Sequence, residues 1–425
     1  MVDVVDNTLI HATDEASLRY PGWRVLIACV IGMIFSSGPM LFGSMGLFVE
    51  YFEGEFGWTR GGIMLSLTLN TIATIVAAPI CGRLIDRFGA RKVLLPSILV
   101  FAALWASVPM FTGELGHLYL IISLIGFFTV GTQSISYIRV VSAWFDKKRG
   151  LAIGITASGL GLSYMLTPLI VQTVLEYRDW RYAYWTMAAM ILLISFPTMY
   201  FFIRNGPADA VSTVANPSTP KEKALYGLTL REALQTREFW VISFALLLFS
   251  LLLTGFVPHI VPIMTERGLS VKAAAQTASI MGFATFVGRI GVGYLIDRIF
   301  APYVAIVFFA SAAGGFLILA SGSVGPVAMI AAMMIGLGFG AESDLIGYFV
   351  SRYFGLRSFG EIYGYIYGAF LIGAGAGPLL LGIGHDRLGS YISLLTVFSI
   401  VAAAGCTLFL LLRPFPNLEG EQVPC

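Results

Sequence analysis

Gly82-Arg83-Leu84-Ile85-Asp86-Arg87 closes one apolar run, and 211 residues later Gly293-Tyr294-Leu295-Ile296-Asp297-Arg298 closes another. Trp144-Phe145 recurs as Tyr353-Phe354 after 209 residues, and Pro168 has its counterpart in Pro378 after 210. One such match arises by chance; three, in order and at nearly one offset, describe a chain built twice in parallel. What repeats is apolar. The chain of 425 residues is 57% hydrophobic and 12% charged, against about 25% charged in a soluble protein. So few charges cannot cover a water-facing surface, which excludes a large soluble enzyme, a disordered chain and a secreted disulfide scaffold. An all-α integral membrane protein is expected.

A helix needs about 20 mainly apolar residues to cross the hydrocarbon core. Apolar runs between charged or turn-rich breaks predict twelve transmembrane helices, at about 22–49, 59–82, 93–112, 117–141, 150–174, 181–203, 237–264, 271–296, 302–322, 325–350, 361–384 and 390–412. The one long polar stretch, Arg204 to Thr236, contains Pro207, Pro217, Pro220, Lys221, Glu222 and Lys223 and reads as a linker. The expected organisation is an N-terminal tail (1–20), a six-helix bundle (21–203), the linker (204–236), a second six-helix bundle (237–412) and a C-terminal tail (413–425). The N-terminal tail carries Asp3, Asp6, Asp14 and Glu15 with no basic region before an apolar one, so it does not read as a cleavable signal peptide.

Cytoplasmic loops collect Lys and Arg. With both termini inside, 18 of the 26 basic residues fall on the cytoplasmic side and six outside: Arg60, Arg178, Arg181, Arg267, Lys272 and Arg387. Arg139 and Arg289 fall within spans. The expected location is the cell membrane (the inner membrane in a bacterium), with both termini cytoplasmic and the chain a monomer. A net charge of +2 carries no nucleic-acid signature. Cys29, Cys81, Cys406 and Cys425 lie far apart without metal-ligand spacing, so no metal or other cofactor is expected.

Two six-helix halves in parallel repeat are the plan of major facilitator transporters, which bind substrate between the halves near mid-membrane. The residues make the resemblance specific. Gly82-Arg83-Leu84-Ile85-Asp86-Arg87-Phe88-Gly89-Ala90-Arg91-Lys92 resembles the G-x-L-x-D-R-x-G-R-K loop signature of the major facilitator superfamily. Trp144-Phe145-Asp146-Lys147-Lys148-Arg149-Gly150-Leu151-Ala152-Ile153-Gly154, continuing to Ala157-Ser158-Gly159, is similar to the fifth-helix signature of monocarboxylate transporters and oxalate/formate-type antiporters. Gly22-Trp23 echoes the first-helix signature of the animal monocarboxylate transporters without its preceding acid.

Asp86, with Arg87 and Arg91, stands at the cytoplasmic end of the second helix, and Asp297 with Arg298 repeats the arrangement. An acid there can pair with a base or with a helix N-terminal dipole and latch the halves in one state; the plainer reading is a basic loop that sets topology.

An ionisable group at a helix centre costs about 2.5–3.5 kcal/mol to insert and marks a functional site by default. Arg289 lies eight residues before Asp297, or about 12 Å into the membrane at 1.5 Å per residue. The resemblance implies that it binds substrate carboxylate, as the eighth-helix arginine of monocarboxylate transporters does. The family's acid one turn earlier is replaced by Thr285. Glu342 and Asp344 on the tenth helix reach a similar depth, and on a continuous helix only one of them would face the cavity. That acid is the expected proton carrier, pairing with Arg289 when the site is empty; the alternative is a pair that only fixes packing. Arg139 reads either as a second anion contact or inner gate, or as an anchor snorkelling to the interface. No Lys or Arg occurs between Tyr363 and Gly382, so the second cation of the oxalate-type antiporters is absent and a single-carboxylate site is favoured.

Gln133 and Asn70 read either as cavity lining or as inter-helix hydrogen bonders. Tyr363 and Tyr367 share a helix face; with Tyr348 and Phe283 they read as pocket walls for an aromatic or hydroxylated acid, or as core. His259, between Pro258 and Pro262, reads as a cavity residue or as a partner of a carbonyl those prolines free.

The leading expectation is a proton-coupled monocarboxylate symporter whose partners are a small organic anion, a proton and the lipid bilayer. Anion exchange of the oxalate/formate type comes second. Drug efflux is disfavoured because the closest match to GxxxGPxxGG, Gly373 to Gly382, lies in helix eleven rather than five. A non-transporting sensor is a further alternative. No enzyme is expected: His117, His259 and His385 stand in no catalytic context, and no GxxxxGK[ST] occurs.

Overall fold

The computed structural model describes residues 17, 20–110, 113–145, 148–203, 227–355 and 357–416. Much of the expected linker and most of both tails therefore lie outside the described residues. The first half comprises α1 (Pro21–Phe56), α2 (Arg60–Phe88), α3 (Ala90–Ser107), α4 (Leu115–Phe128, resuming as Ser134–Trp144), α5 (Arg149–Leu175) and α6 (Trp180–Phe202). The second comprises α7 (Arg237–Glu266), α8 (Val271–Ile296), α9 (Ala301–Ala320), α10 (Gly325–Glu342, resuming as Asp344–Tyr353), α11 (Phe359–Leu388) and α12 (Ile392–Leu410). Eleven helices are long and apolar enough to cross a membrane by length and composition, and α4 supplies a shorter apolar helix, Leu115–Phe128.

Local chemistry sets the ends. The Thr59, Thr236 and Ser270 side chains accept from the backbone N–H groups of Gly62, Phe239 and Ala273, capping α2, α7 and α8. Gly57 (φ 68°) and Gly389 (φ 66°) end α1 and α11 in the left-handed conformation that favours glycine. Large apolar side chains such as Leu193, Val307 and Ile400 point outward, where lipid is as apolar as they are.

Interruptions fall where sequence periodicity predicts continuous helices. In α4 the Thr129 hydroxyl donates to the Ile125 carbonyl at 2.7 Å, and Thr132 to Thr129 at 2.8 Å. Such back-bonding bends helices, and Gln133 follows with extended backbone (φ −91°, ψ 178°). Extended backbone at Ser36 divides α1 into Pro21–Ile34 and Ser37–Phe56. The α10 bond ladder is interrupted at Ser343, although its backbone stays helical (φ −77°, ψ −28°).

The halves meet along α5 against α8 and α2 against α11. The absence of side chains allows this approach: a Cβ at Gly161 would stand 2.6 Å from the Phe286 Cα. Across the other seam, the Thr68 hydroxyl donates to the Gly375 carbonyl at 2.7 Å.

Candidate functional site

The site is built around a buried cation. Arg289 on α8 is 9% exposed. A Cβ at Gly340 would lie 2.8 Å from the Arg289 amide nitrogen, so glycine there lets α10 lie against the backbone of α8. That approach delivers Ser343 and Asp344 to the guanidinium. One terminal nitrogen donates to Asp344 Oδ1 at 2.7 Å and the other to Ser343 Oγ at 3.1 Å. The Arg289 Nε has no partner among the described residues.

Glu342 stands beside this pair and outside it. It is 1% exposed, and neither carboxyl oxygen has a hydrogen-bond partner among the described residues. The hydroxyls of Ser250 and Thr254 on α7 face it, but Ser250 already donates to the Phe370 carbonyl at 2.6 Å. Sequence spacing on a continuous helix predicts only one of the two acids in the cavity. Both line it: Asp344 turns toward α8 and Glu342 toward α7.

The cavity between the halves has a volume of about 280 Å³. Phe359, Tyr363, Tyr367 and Phe370 form a ladder of stacked rings along one face of α11, with successive centroids 5.8, 5.6 and 5.4 Å apart; the last three line the cavity. Tyr164 of α5 meets Phe339 of α10 edge-on at 5.1 Å, and both rings are part of the wall. From the first half come Asn70, Thr71, Thr74 and Gln133. Asn70 donates to the Ile122 carbonyl at 2.9 Å and Thr74 to Gly126 at 3.1 Å, so both also tie α2 to α4. Gln133 enters from the interruption in α4. The lining continues along α5 from Tyr164 to Ile153, the latter about one turn from that helix's start. Arg289 is the one Lys or Arg among the described lining residues, beside two acids.

Several residues expected at the site stand elsewhere. The Tyr348 hydroxyl donates to the Ile296 carbonyl at 2.8 Å, and Phe283 points outward, half exposed; neither is part of the wall. His259 is fully buried outside the cavity, with its Nε2 2.9 Å from the Pro378 carbonyl and its Nδ1 2.9 Å from the Tyr391 hydroxyl. A carbonyl only accepts, so Nε2 carries the hydrogen and Nδ1 accepts from Tyr391. The carbonyl is on α11, not one freed by the prolines flanking the histidine. Arg139 is exposed on α4, next to the lining residue Ile138. Arg87 lies over the Phe88 ring, Arg91 donates to the Tyr200 carbonyl at 2.7 Å, Arg298 folds back onto Tyr294 and Asp297 is exposed. The Asp86 side chain lies outside the described residues.

Sequence reading missed the wall residues Tyr164, Phe339 and Ser343, and a cluster at the opposite end from Arg298. There Arg60 pairs with Glu53 at 2.9 Å within its half and with Glu266 of the other half at 3.0 Å. His385 Nε2 lies 2.9 Å from Glu266 and 3.3 Å from Arg60. The Asp386 carboxylate accepts from the backbone N–H groups of Arg60 (3.2 Å) and Gly61 (2.8 Å), capping α2 from across the seam. Arg60 also lies over Tyr391, whose phenol is pushed up by burial. A second pair, Lys272–Glu176 at 3.0 Å, joins α8 to the end of α5. Lys272 and Glu176 correspond to Arg60 and Asp386 at the repeat offset of about 210 residues, so the clamp follows the internal repeat. Its signal in sequence was charge at matching helix ends in both halves.

A family model described as Major Facilitator Superfamily matches residues 25–378. Monocarboxylate transporter 11 of Homo sapiens is 25% identical over 389 residues, covering 87% of this chain and 79% of that protein. The 4-hydroxybenzoate transporter PcaK of Pseudomonas putida is 23% identical, covering 83% of this chain and 87% of its own length. Among solved structures, a variant of the nucleoside transporter NupG superposes with a TM-score of 0.72 at 12% identity, covering 91% of this chain and 99% of that one. That likeness concerns the fold alone.

Proposed function

The chain belongs to the Major Facilitator Superfamily, and from that premise we propose that it carries small monocarboxylates together with protons by alternating access, with Arg289 binding the carboxylate. The observation that carries this reading is a buried guanidinium in the wall of the cavity between the halves, balanced by a single aspartate. A substrate carboxylate can take the place of Asp344, which holds the guanidinium through one oxygen, and can span both terminal nitrogens as a bidentate pair. One cation among the described lining residues suits one carboxylate, and this favours monocarboxylates over dicarboxylate exchange. The aromatic ladder of α11 offers flat apolar surface for the rest of the molecule. Similarity to transporters named for monocarboxylates and for 4-hydroxybenzoate points the same way.

In this reading both termini are cytoplasmic, the chain works as a monomer in the cell membrane, and the Arg60 clamp closes its outer end. The structure then corresponds to a state accessible from the cytoplasm. Asp86, Arg87, Arg91, Asp297 and Arg298 at the opposite end act in the other state, when the cytoplasmic side closes. The test is uptake of radiolabelled monocarboxylates into proteoliposomes under an imposed pH gradient. Arg289→Ala abolishes uptake, and Arg289→Lys, which lacks the planar fork, retains a small fraction. Unchanged uptake by Arg289→Ala refutes the reading.

A further inference from the structure

Only one of the two acids of the site is bonded to Arg289, and that separates their roles. Asp344 accepts from Arg289 at 2.7 Å. Neither carboxyl oxygen of the more deeply buried Glu342 has a hydrogen-bond partner among the described residues, although the Ser250 and Thr254 hydroxyls face it. The groups facing Glu342 from the elements around it are Arg289 on α8, Tyr164 on α5, Tyr367 on α11 and the Ser250 and Thr254 hydroxyls on α7. Arg289 is the one cation among them, and Asp344 already balances it. An ionised Glu342 would leave a net negative charge in a low-dielectric site, which proteins avoid by protonating the group.

We propose that Glu342 is a resident neutral carboxylic acid that donates a hydrogen bond to the bound anion, while Asp344 takes up and releases the transported proton. This rests on the reading of Arg289 as the carboxylate anchor.

Charge counting supports the division. In the empty site Arg289 is positive, Asp344 negative and Glu342 neutral, so the sum is zero. When an anion occupies Arg289, the sum returns to zero only if one proton adds to the displaced Asp344 carboxylate. Both particles then cross together, and on release Asp344 loses its proton and returns to the guanidinium. One proton therefore moves per anion, and an empty carrier can reorient without a buried net charge. Glu342 keeps its proton throughout. A protonated carboxyl offers one donor, where a carboxylate offers none. Lining the cavity beside the anchor, it selects substrates with an acceptor near the carboxylate.

The experiment uses the full chain in proteoliposomes with [14C]lactate and [14C]benzoate as probes. It compares accumulation driven by a pH gradient with counterflow at equal pH. Asp344→Asn mimics a permanently protonated aspartate. It is expected to lose gradient-driven accumulation by about tenfold or more while counterflow persists, and Asp344→Glu is expected to restore coupling. Glu342→Gln keeps a neutral donor, so coupling and its pH profile persist while KM rises by about threefold to tenfold, the worth of one weakened hydrogen bond. Glu342→Leu removes the donor and raises KM further with coupling still intact. Size-exclusion profiles and Tm values for each variant separate misfolding from altered transport.

The proposal is overturned if Glu342→Gln abolishes accumulation while Asp344→Asn still concentrates the probe, or if both variants uncouple. If the unmodified chain moves neither probe, or Arg289→Ala moves them as well as the parent does, the anchor reading itself fails and the proposal falls with it.

Discussion

Removing the Arg60 guanidinium should open the end of the molecule that the clamp holds shut. The side chain is 11% exposed and bridges Glu53 of its own half and Glu266 of the other, which is 31% exposed. Exposed ion pairs contribute about 0–1 kcal/mol, and breaking a buried pair costs about 3–5 kcal/mol. A half-buried pair across a seam falls between, at about 2 kcal/mol. Arg60→Met keeps the bulk over Tyr391 and removes the charge, so it should shift the closed-to-open ratio by about 30-fold. A ratio of twenty to one becomes roughly two to three, a change visible as a second population. Asp386→Ala removes the cap on Arg60 and Gly61 and should shift the ratio by a further factor of about five, as helix caps contribute about 1 kcal/mol. The assay is pulsed electron spin resonance between labels at Tyr177 and Leu388, exposed positions on opposite halves at this end, in a background without native cysteines. A longer distance should gain population in each variant and more in the double variant. If all three distance distributions superimpose on the parent's, the cluster does not hold the halves together.

Other expectations follow from the same geometry. Lys272→Ala breaks the repeat-related pair, where the lysine side chain is 62% exposed; the same spin-label measurement should show a shift of less than about fivefold. Gly282→Leu forces side-chain atoms into α5, where a Cβ would already lie 2.7 Å from the Met165 Cα. It should favour the long-distance population and lower Tm by several degrees, as overpacking typically costs about 1–3 kcal/mol. Tyr367→Phe preserves the stacked ladder and should leave the KM for [14C]benzoate within about twofold, whereas Tyr367→Ala should raise it about tenfold, since an aromatic pair contributes about 0.5–1.5 kcal/mol beyond burial. His259→Phe leaves the Pro378 carbonyl and Tyr391 hydroxyl without their partner. Thermal unfolding should register a loss of about 1–3 kcal/mol, with the transport pH profile unchanged.

The twelve-helix architecture and the parallel repeat were legible because lipid imposes them on composition: a helix must be apolar over its whole span, and every charge within it stands out. The same rule singled out Arg289, Glu342 and Asp344, and the structure brings all three to one cavity. The aromatic pair Tyr363 and Tyr367 was legible from spacing alone. Tyr348, Phe283 and His259 were not distinguishable from wall residues, because a four-residue spacing fixes a helix face and not which neighbour it meets. Arg60 read as one more outward basic residue. Its significance lies in contacts with residues more than 200 positions away.

Hydropathy, charge placement and the recurring motifs marked a chain that spans a membrane as two repeated bundles, with two basic residues, Arg139 and Arg289, within its spans. None of these determines how helices turn against each other. Only the tertiary structure decided that Asp344 meets Arg289 while Glu342 turns to α7, and that the halves lock at the Arg60 end. The physical reason is that helical spacing fixes the angle between two side chains but not which helices they meet, and the side-chain-free approach at Gly340 that brings α10 against α8 leaves no periodic signal. Whether a buried acid holds a counter-ion depends on distances of a few ångströms across helices that the chain places far apart in order.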